Sequence, residues 1–189
     1  QTPIARLFLD PPVAAHPAVL AAIARADLLV ICPGSLLTGT IGVLLHPGVR
    51  EALTASQAPC IYVCNLMTQP GQTDGYTARQ HLAVLTAYLG RQVEAVVLNN
   101  GPLPDANCAI YAQHGSYPVV QDLTVADVPL YCADLVARPD VAMLHTYERP
   151  QGPGMDVGLH LMRHDPERLA AQIMAIAAQP PTRFGKGQG

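Results

Sequence analysis

The sequence predicts an α/β fold, a doubly wound and mostly parallel sheet with helices on both faces. Three observations predict it. Short apolar runs such as Leu28–Cys32 and Ile61–Cys64 carry the β-branched and aromatic residues of buried strands. Segments with apolar residues at helical spacing alternate with them, as in a parallel sheet wrapped by helices. The apolar runs end in polar stretches containing Gly and Pro, and open α/β sheets bind ligands beyond the carboxyl ends of their strands.

In chain order, Ala5–Asp10 reads as a first strand with partial alternation, ended by Pro11-Pro12. Ala14–Ala26 reads as a helix with Val19, Leu20 and Ile23 on one face. Leu28–Cys32 is continuously apolar, as in a strand buried on both sides. Pro33–Thr40 is a polar turn before a helix-like segment around Ile41–Leu45. His46-Pro47-Gly48 breaks that segment, and Val49–Ser56 is a second short helix. After the strand at Ile61 comes the long loop 65–77, then a helix over Ala78–Leu89 with Leu82, Leu85 and Leu89 in step. Gly90 is its stop. Val93–Leu98 is the next strand and Asp105–His114 the next helix. Val119-Val120, Leu130–Cys132 and Val141–His145 are short strand candidates, and Glu148–Gly158 is a Gly- and Pro-rich loop. Asp165 suits an N-cap and Pro166 the first turn of a last helix, with Ile173 and Ile176 facing the core. Residues 1–179 read as a single α/β domain and 180–189 as a flexible tail.

Composition narrows the function classes. The chain of 189 residues is half hydrophobic, which excludes a disordered protein and allows a real core. A net charge of −3 with no basic run gives no pull toward nucleic acid. No apolar run approaches the roughly 20 residues that span a bilayer, and no signal peptide is visible. A start without Met reads as a processed chain or one excised from a longer protein. Five cysteines, Cys32, Cys60, Cys64, Cys108 and Cys132, are an odd set with three on strands, which predicts reduced, buried thiols in a cytosolic protein. Cys60 and Cys64 have no nearby His to complete a zinc set.

Three strand ends share one chemistry. At the first, Gly34 lets a ligand approach the backbone, and Ser35 and Thr38 add hydroxyls near a helix start that favours phosphate. The plainer reading is a tight turn with Ser35 as N-cap. At the second, Asn65 and Thr68 can bond a sugar or base. Asp74 can accept from sugar hydroxyls or hold a divalent cation through oxygen; capping by Asp74 or Thr77 is the plainer alternative. At the third, Asn99-Asn100-Gly101 is first a turn former, and Asn side chains also read base edges. Arg163 offers a charged fork suited to phosphate, against a surface pairing with Glu167. His81 and His164 could do acid–base work, but a lone His in a helical stretch is more often structural. G-x-S-x-G, G-x-G-x-x-G and Walker A motifs are absent from the sequence.

Asp27–Ser35 (DLLVICPGS), Tyr62–Thr77 (YVCNLMTQPGQTDGYT) and Arg163-His164-Asp165 together resemble the YvcK-type branch of the CofD-like family, from about Ile4 to Ile176. The resemblance implies a Rossmann-like fold, a cytoplasmic location and binding of UDP-sugars such as UDP-N-acetylglucosamine. It also implies a regulatory role in cell-wall synthesis, cell shape and growth on gluconeogenic carbon sources. The CofD branch implies instead a magnesium-dependent transferase that moves a phospholactyl group from a nucleotide-activated donor to a deazaflavin precursor. Family members usually begin with a Gly-Gly-Gly-Thr-Gly strand-loop; here the resemblance covers the portion after it, so 1–179 is expected to be part of a longer family domain. Cys32 stands where Gly is usual, Leu37 where an aromatic is common, and Gln72 where Glu is common; Glu148–Gly158 resembles an insertion. The expected ligand set is Gly34, Ser35, Thr38, Asn65, Thr68, Asp74, Asn99 and Arg163, with Asp74 the candidate Mg²⁺ ligand. The partner is a nucleotide-sugar or other nucleotide diphosphate. Binding needs no cofactor, although Mg²⁺ is compatible with it, as is a homodimer.

Overall fold

A computed structural model describes residues 4–138 and 162–179. Its centre is a four-stranded sheet of β1 (Leu29–Ile31), β2 (Cys60–Val63), β3 (Ala95–Asn99) and β4 (Leu130–Ala133), in that spatial order. All three pairings are parallel, with Leu29 opposite Cys60, Ile61 opposite Ala95 and Val96 opposite Leu130. Parallel neighbours need crossovers, and helices supply them. α2 (Gly42–Leu44) and α3 (Val49–Ala55) lie between β1 and β2, α4 (Ala78–Leu89) between β2 and β3 and α5 (Asp105–Gln113) between β3 and β4, while α1 (Pro17–Arg25) precedes β1 and α6 (Pro166–Ala177) follows β4.

Alternation along the strands divides the core. Cys60, Tyr62, Val96 and Leu98 face one side, where Leu53 of α3 and Leu85 and Leu89 of α4 cover them. Ile61, Val63, Ala95 and Val97 face the other, under Ile173 and Ile176 of α6 and Leu135. Helices therefore lie on both faces. A third cluster joins Leu66 to Tyr111 of α5, Val136 and Met162. At the amino end of the sheet, Glu94 Oε2 accepts the Cys60 N–H at 2.5 Å. Arg91 bonds Glu94 and the carbonyls of Leu53 and Ser56. That end is pinned shut by internal bonds.

Local signals fixed several elements. Thr77 caps α4 and exchanges bonds with Gln80, a reciprocal box that satisfies two free N–H groups. Gly90 ends α4 with φ 77°, a left-handed geometry that a side chain would resist. Asp165 caps α6, accepting from Glu167 and Arg168 N–H.

Other expectations need correction. Ala5–Asp10 is not a strand: Leu7 packs on the first core and Phe8 points outward, so the alternation is real, but no described strand pairs with it. α1 begins at Pro17 rather than Ala14, because a residue before proline is held extended and His16 caps the helix instead. The segment expected as a helix near Ile41–Leu45 starts earlier, as a wide π turn over Leu36–Ile41. Val119-Val120 is not a strand: Val120 makes an isolated bridge with Thr77, and the preceding Pro118 makes another with Met67. Cys60 and Cys64 are buried, but Cys32 and Cys132 are exposed, at or beside strand ends where the sheet opens to solvent. The strand expected at Val141–His145, the loop Glu148–Gly158 and the tail 180–189 lie outside the described residues.

Candidate functional site

Parallel strands place every following loop at one edge of the sheet, so the loops after β1 and β2 are neighbours. They are bonded to each other. Asn65 Nδ2 donates to the Gly34 carbonyl at 2.6 Å, and the Gly34 N–H donates back to Asn65 Oδ1 at 3.3 Å. Next to this reciprocal pair, the Ser35 and Thr38 hydroxyls lie 2.6 Å apart. Both reach Gln72 Oε1, at 3.0 and 3.4 Å. Residues 33–38 and 65–72 thus form a clamp of amides and hydroxyls that is only partly buried.

The wide turn after Ser35 is part of this geometry. The Ser35 carbonyl accepts the N–H groups of both Gly39 and Thr40, at 3.0 and 2.9 Å. Ser35 precedes the turn without a side-chain capping bond, so its hydroxyl is directed to Thr38 and Gln72. Single π turns inside helices recur at functional sites. The sequence holds a weak signal for this one: Gly39 and Gly42 interrupt the segment Leu36–Leu45.

Thr68, expected to meet ligand, is buried. Its hydroxyl accepts the Tyr117 N–H at 2.9 Å, its N–H donates to the Tyr117 carbonyl at 2.7 Å, and Ser116 Oγ donates to its carbonyl. It is a strut between the 65–77 loop and the segment after α5. Asn99 is likewise buried and bonds Gly101 through both its amide groups. Its Oδ1 also accepts the Leu135 N–H at 2.9 Å, so it ties the ends of β3 and β4 together. Asp74 is exposed, and one of its oxygens accepts the Gly71 N–H at 2.7 Å. Among the described residues, no three His, Cys, Asp or Glu side chains converge on a point that could hold a metal. The clamp itself offers amides and hydroxyls with a lone carboxylate nearby, a poorer donor set for Mg²⁺ than for a hydrogen-bonded anion. Arg163 is exposed, and its carbonyl accepts the Ala137 N–H at 2.8 Å. It stands beside the chain that leaves β4.

His164 has the structural role that the sequence favoured, whereas the roles of Asp134 and Arg79 were not legible in it. His164 hydrogen-bonds the Cys64 backbone, and burial lowers it from 6.5 to about 4. It docks the start of α6 against the end of β2, although only a bridge between Val136 and His164 hints at the pairing. Asp134, at the end of β4, carries Arg138 and Arg168 on Oδ2. Its other oxygen lies against Gly101, where a Cβ would collide with it. Arg79 grips Asp127 and receives Asp122 at its own N–H, bracing α4 against residues 122–127. The paired guanidinium holds the Asp127 carboxyl well below the usual range. His81 is buried on α4 and bonds the Thr77 carbonyl at 2.9 Å, and burial lowers its pKa. The thiols of Cys60 and Cys64 are pushed up by burial, to about 11 and about 12, so both are inert neutral groups, Cys60 at the amino end of β2 and Cys64 just past its carboxyl end.

Most of the chain is similar to known proteins. The family model described as CofD, 2-phospho-L-lactate transferase CofD, matches residues 1–136. A Thermotoga maritima protein named "Putative gluconeogenesis factor" is 43% identical over 174 residues, covering 92% of this chain and 51% of its own length. A Deinococcus radiodurans protein of the same name is 36% identical over 166 residues, covering 88% of this chain and 32% of its own length. A crystal structure of a UPF0052 family member from Bacillus halodurans superimposes with a TM-score of 0.75 at 32% identity. It covers 91% of this chain and 50% of that one. The chain spans about a third to a half of the length of these curated relatives.

Proposed function

The chain belongs to the CofD family, and from that premise and the clamp we propose that it binds the diphosphate of a nucleotide sugar, of the UDP-N-acetylglucosamine type. The observation that carries the reading is the union of two strand-end loops through Gly34 and Asn65, with Ser35, Thr38 and Gln72 gathered beside them. Such a preformed cluster of uncharged hydroxyls and amides at the carboxyl edge of a parallel sheet suits phosphate oxygens. On binding, one hydroxyl of the Ser35 and Thr38 pair turns its hydrogen from its neighbour to the diphosphate beside the Gly34 backbone, Asp74 accepts from a sugar hydroxyl, and Arg163 supplies charge from the side. Thr68 and Asn99 support the loops from beneath. The relatives' name, gluconeogenesis factor, supports a link to growth on gluconeogenic carbon sources; with it we infer a regulatory role, cytoplasmic and tied to cell-wall synthesis.

Calorimetry with UDP-N-acetylglucosamine tests this on the 189-residue chain, wild type and Arg163→Ala. Loss of a charge-assisted contact weakens binding by about 1.5–3 kcal/mol. Equal affinity in both proteins removes Arg163 from the site, and absence of binding to the wild type contradicts the reading.

A second reading rests on the description of the matching family model, a 2-phospho-L-lactate transferase. On it, the clamp holds a nucleotide-activated phospholactate, and a deazaflavin precursor takes the phospholactyl group with Mg²⁺ present. Turnover that requires Mg²⁺, and that Asp74→Asn lowers more than it lowers affinity, would favour this reading over binding alone.

A further inference from the structure

We propose that Gln72 sets the ligand class of the clamp: its amide makes the site one for an oxyanion bound without metal. The proposal rests on the nucleotide-diphosphate reading and goes beyond it by naming what selects the bound form.

The Ser35 and Thr38 hydroxyls lie 2.6 Å apart, so one donates to the other. The remaining hydrogen goes to Gln72 Oε1, which lies 3.0 Å from Ser35 and 3.4 Å from Thr38. That oxygen is thereby engaged as an acceptor, which fixes the plane of the amide. Nε2 is directed the other way, and it has no hydrogen-bond partner among the described residues. Gln72 is partly buried, so the two N–H donors are held in place rather than tumbling in water. A held amide NH₂ donates to phosphate oxygen and repels a cation. A carboxylate at this position would keep the acceptor for Ser35 and Thr38 but present negative charge outward. It would repel a diphosphate unless a divalent cation came between them.

Gln72→Glu is therefore a test that leaves the clamp's internal bonds in place. UDP is the probe, titrated by calorimetry into the 189-residue chain in buffer with EDTA and in buffer with Mg²⁺. Wild type is expected to bind UDP with affinities that agree within about twofold in the two buffers, and Gln72→Glu to bind at least about tenfold more weakly in EDTA and to recover with Mg²⁺. Gln72→Met keeps the length but loses the donors together with the Oε1 acceptor of Ser35 and Thr38; it is expected to weaken binding in both buffers, and it is the test if the Glu variant fails to fold. Wild-type binding that needs Mg²⁺, or Glu and Met variants that bind like wild type, overturns the role of Gln72 and leaves the nucleotide reading standing. A wild type that binds no UDP in either buffer overturns both.

Discussion

The two halves of the sheet's carboxyl edge use similar residues for opposite ends. At β1 and β2, Asn65 joins Gly34 across two loops, and the hydroxyls and amide beside them remain partly open. At β3 and β4, Asn99 makes a comparable set of bonds, but it is buried, and all of them go to Gly101 and Leu135. Asp134 closes the same end by lying against Gly101. One pair of strand ends is a preformed surface, and the other is a locked seam. What separates them is whether the backbone groups nearby still need partners. The Leu135 N–H is buried and must be satisfied inside the protein, so it takes the Asn99 oxygen.

Substitutions at the seam have the largest expected effects on stability. Gly101→Ala drives a methyl into the Asp134 carboxylate and is expected to cost on the order of 3 kcal/mol, read as a lower midpoint in urea. A midpoint unchanged from wild type would show that the seam can open. The dock at His164 comes next. Its pKa is lowered to about 4 by burial, against a bond to the Cys64 backbone that raises it. The unfolded chain, with an ordinary His near 6.5, then binds a proton that the folded chain refuses. Stability is full above about pH 6.5 and falls as pH drops toward 4, by on the order of 2–3 kcal/mol. His81 is lowered in the same direction, so the difference between wild type and His164→Asn isolates the contribution of His164. A variant with an unchanged pH slope would remove it.

Asn99→Ala strips the Leu135 N–H of its acceptor and is expected to cost about 2 kcal/mol, with little change in UDP-N-acetylglucosamine affinity. Thr68→Val loses the acceptor for the Tyr117 N–H and costs about 1 kcal/mol. Asn65→Ala is the counterpart on the open side. Its bonds are partly exposed, so stability falls by less than about 1 kcal/mol, while ligand affinity falls at least about tenfold. Should Asn99→Ala abolish binding and Asn65→Ala spare it, the assignment of the two ends is reversed.

Much of this was legible in the sequence. Parallel strands announced themselves as apolar runs, and Thr77, Gly90 and Asp165 marked helix ends through local chemistry. The loop 65–77 stood out because it holds more polar residues than a turn requires. Other features were hidden for a physical reason: local pattern carries no information on distant partners. Asn65 and Asn99 look alike in sequence, and only contacts 31 and 36 residues away give them different roles. Gly101 reads as a turn residue, whereas the approach of Asp134 is what demands it. The strand expected at Ala5–Asp10 failed similarly, since alternation reports a buried face and not a partner for the backbone.

The most direct test of the open side is a titration of the ¹⁵N-labelled chain with UDP-N-acetylglucosamine, followed by amide shifts. The account predicts shifts concentrated at residues 34–38 and 65–75, and small changes at 99–101 and 134–136. Shifts confined to the β3 and β4 ends, with Gly34, Ser35 and Gln72 unmoved, would contradict it.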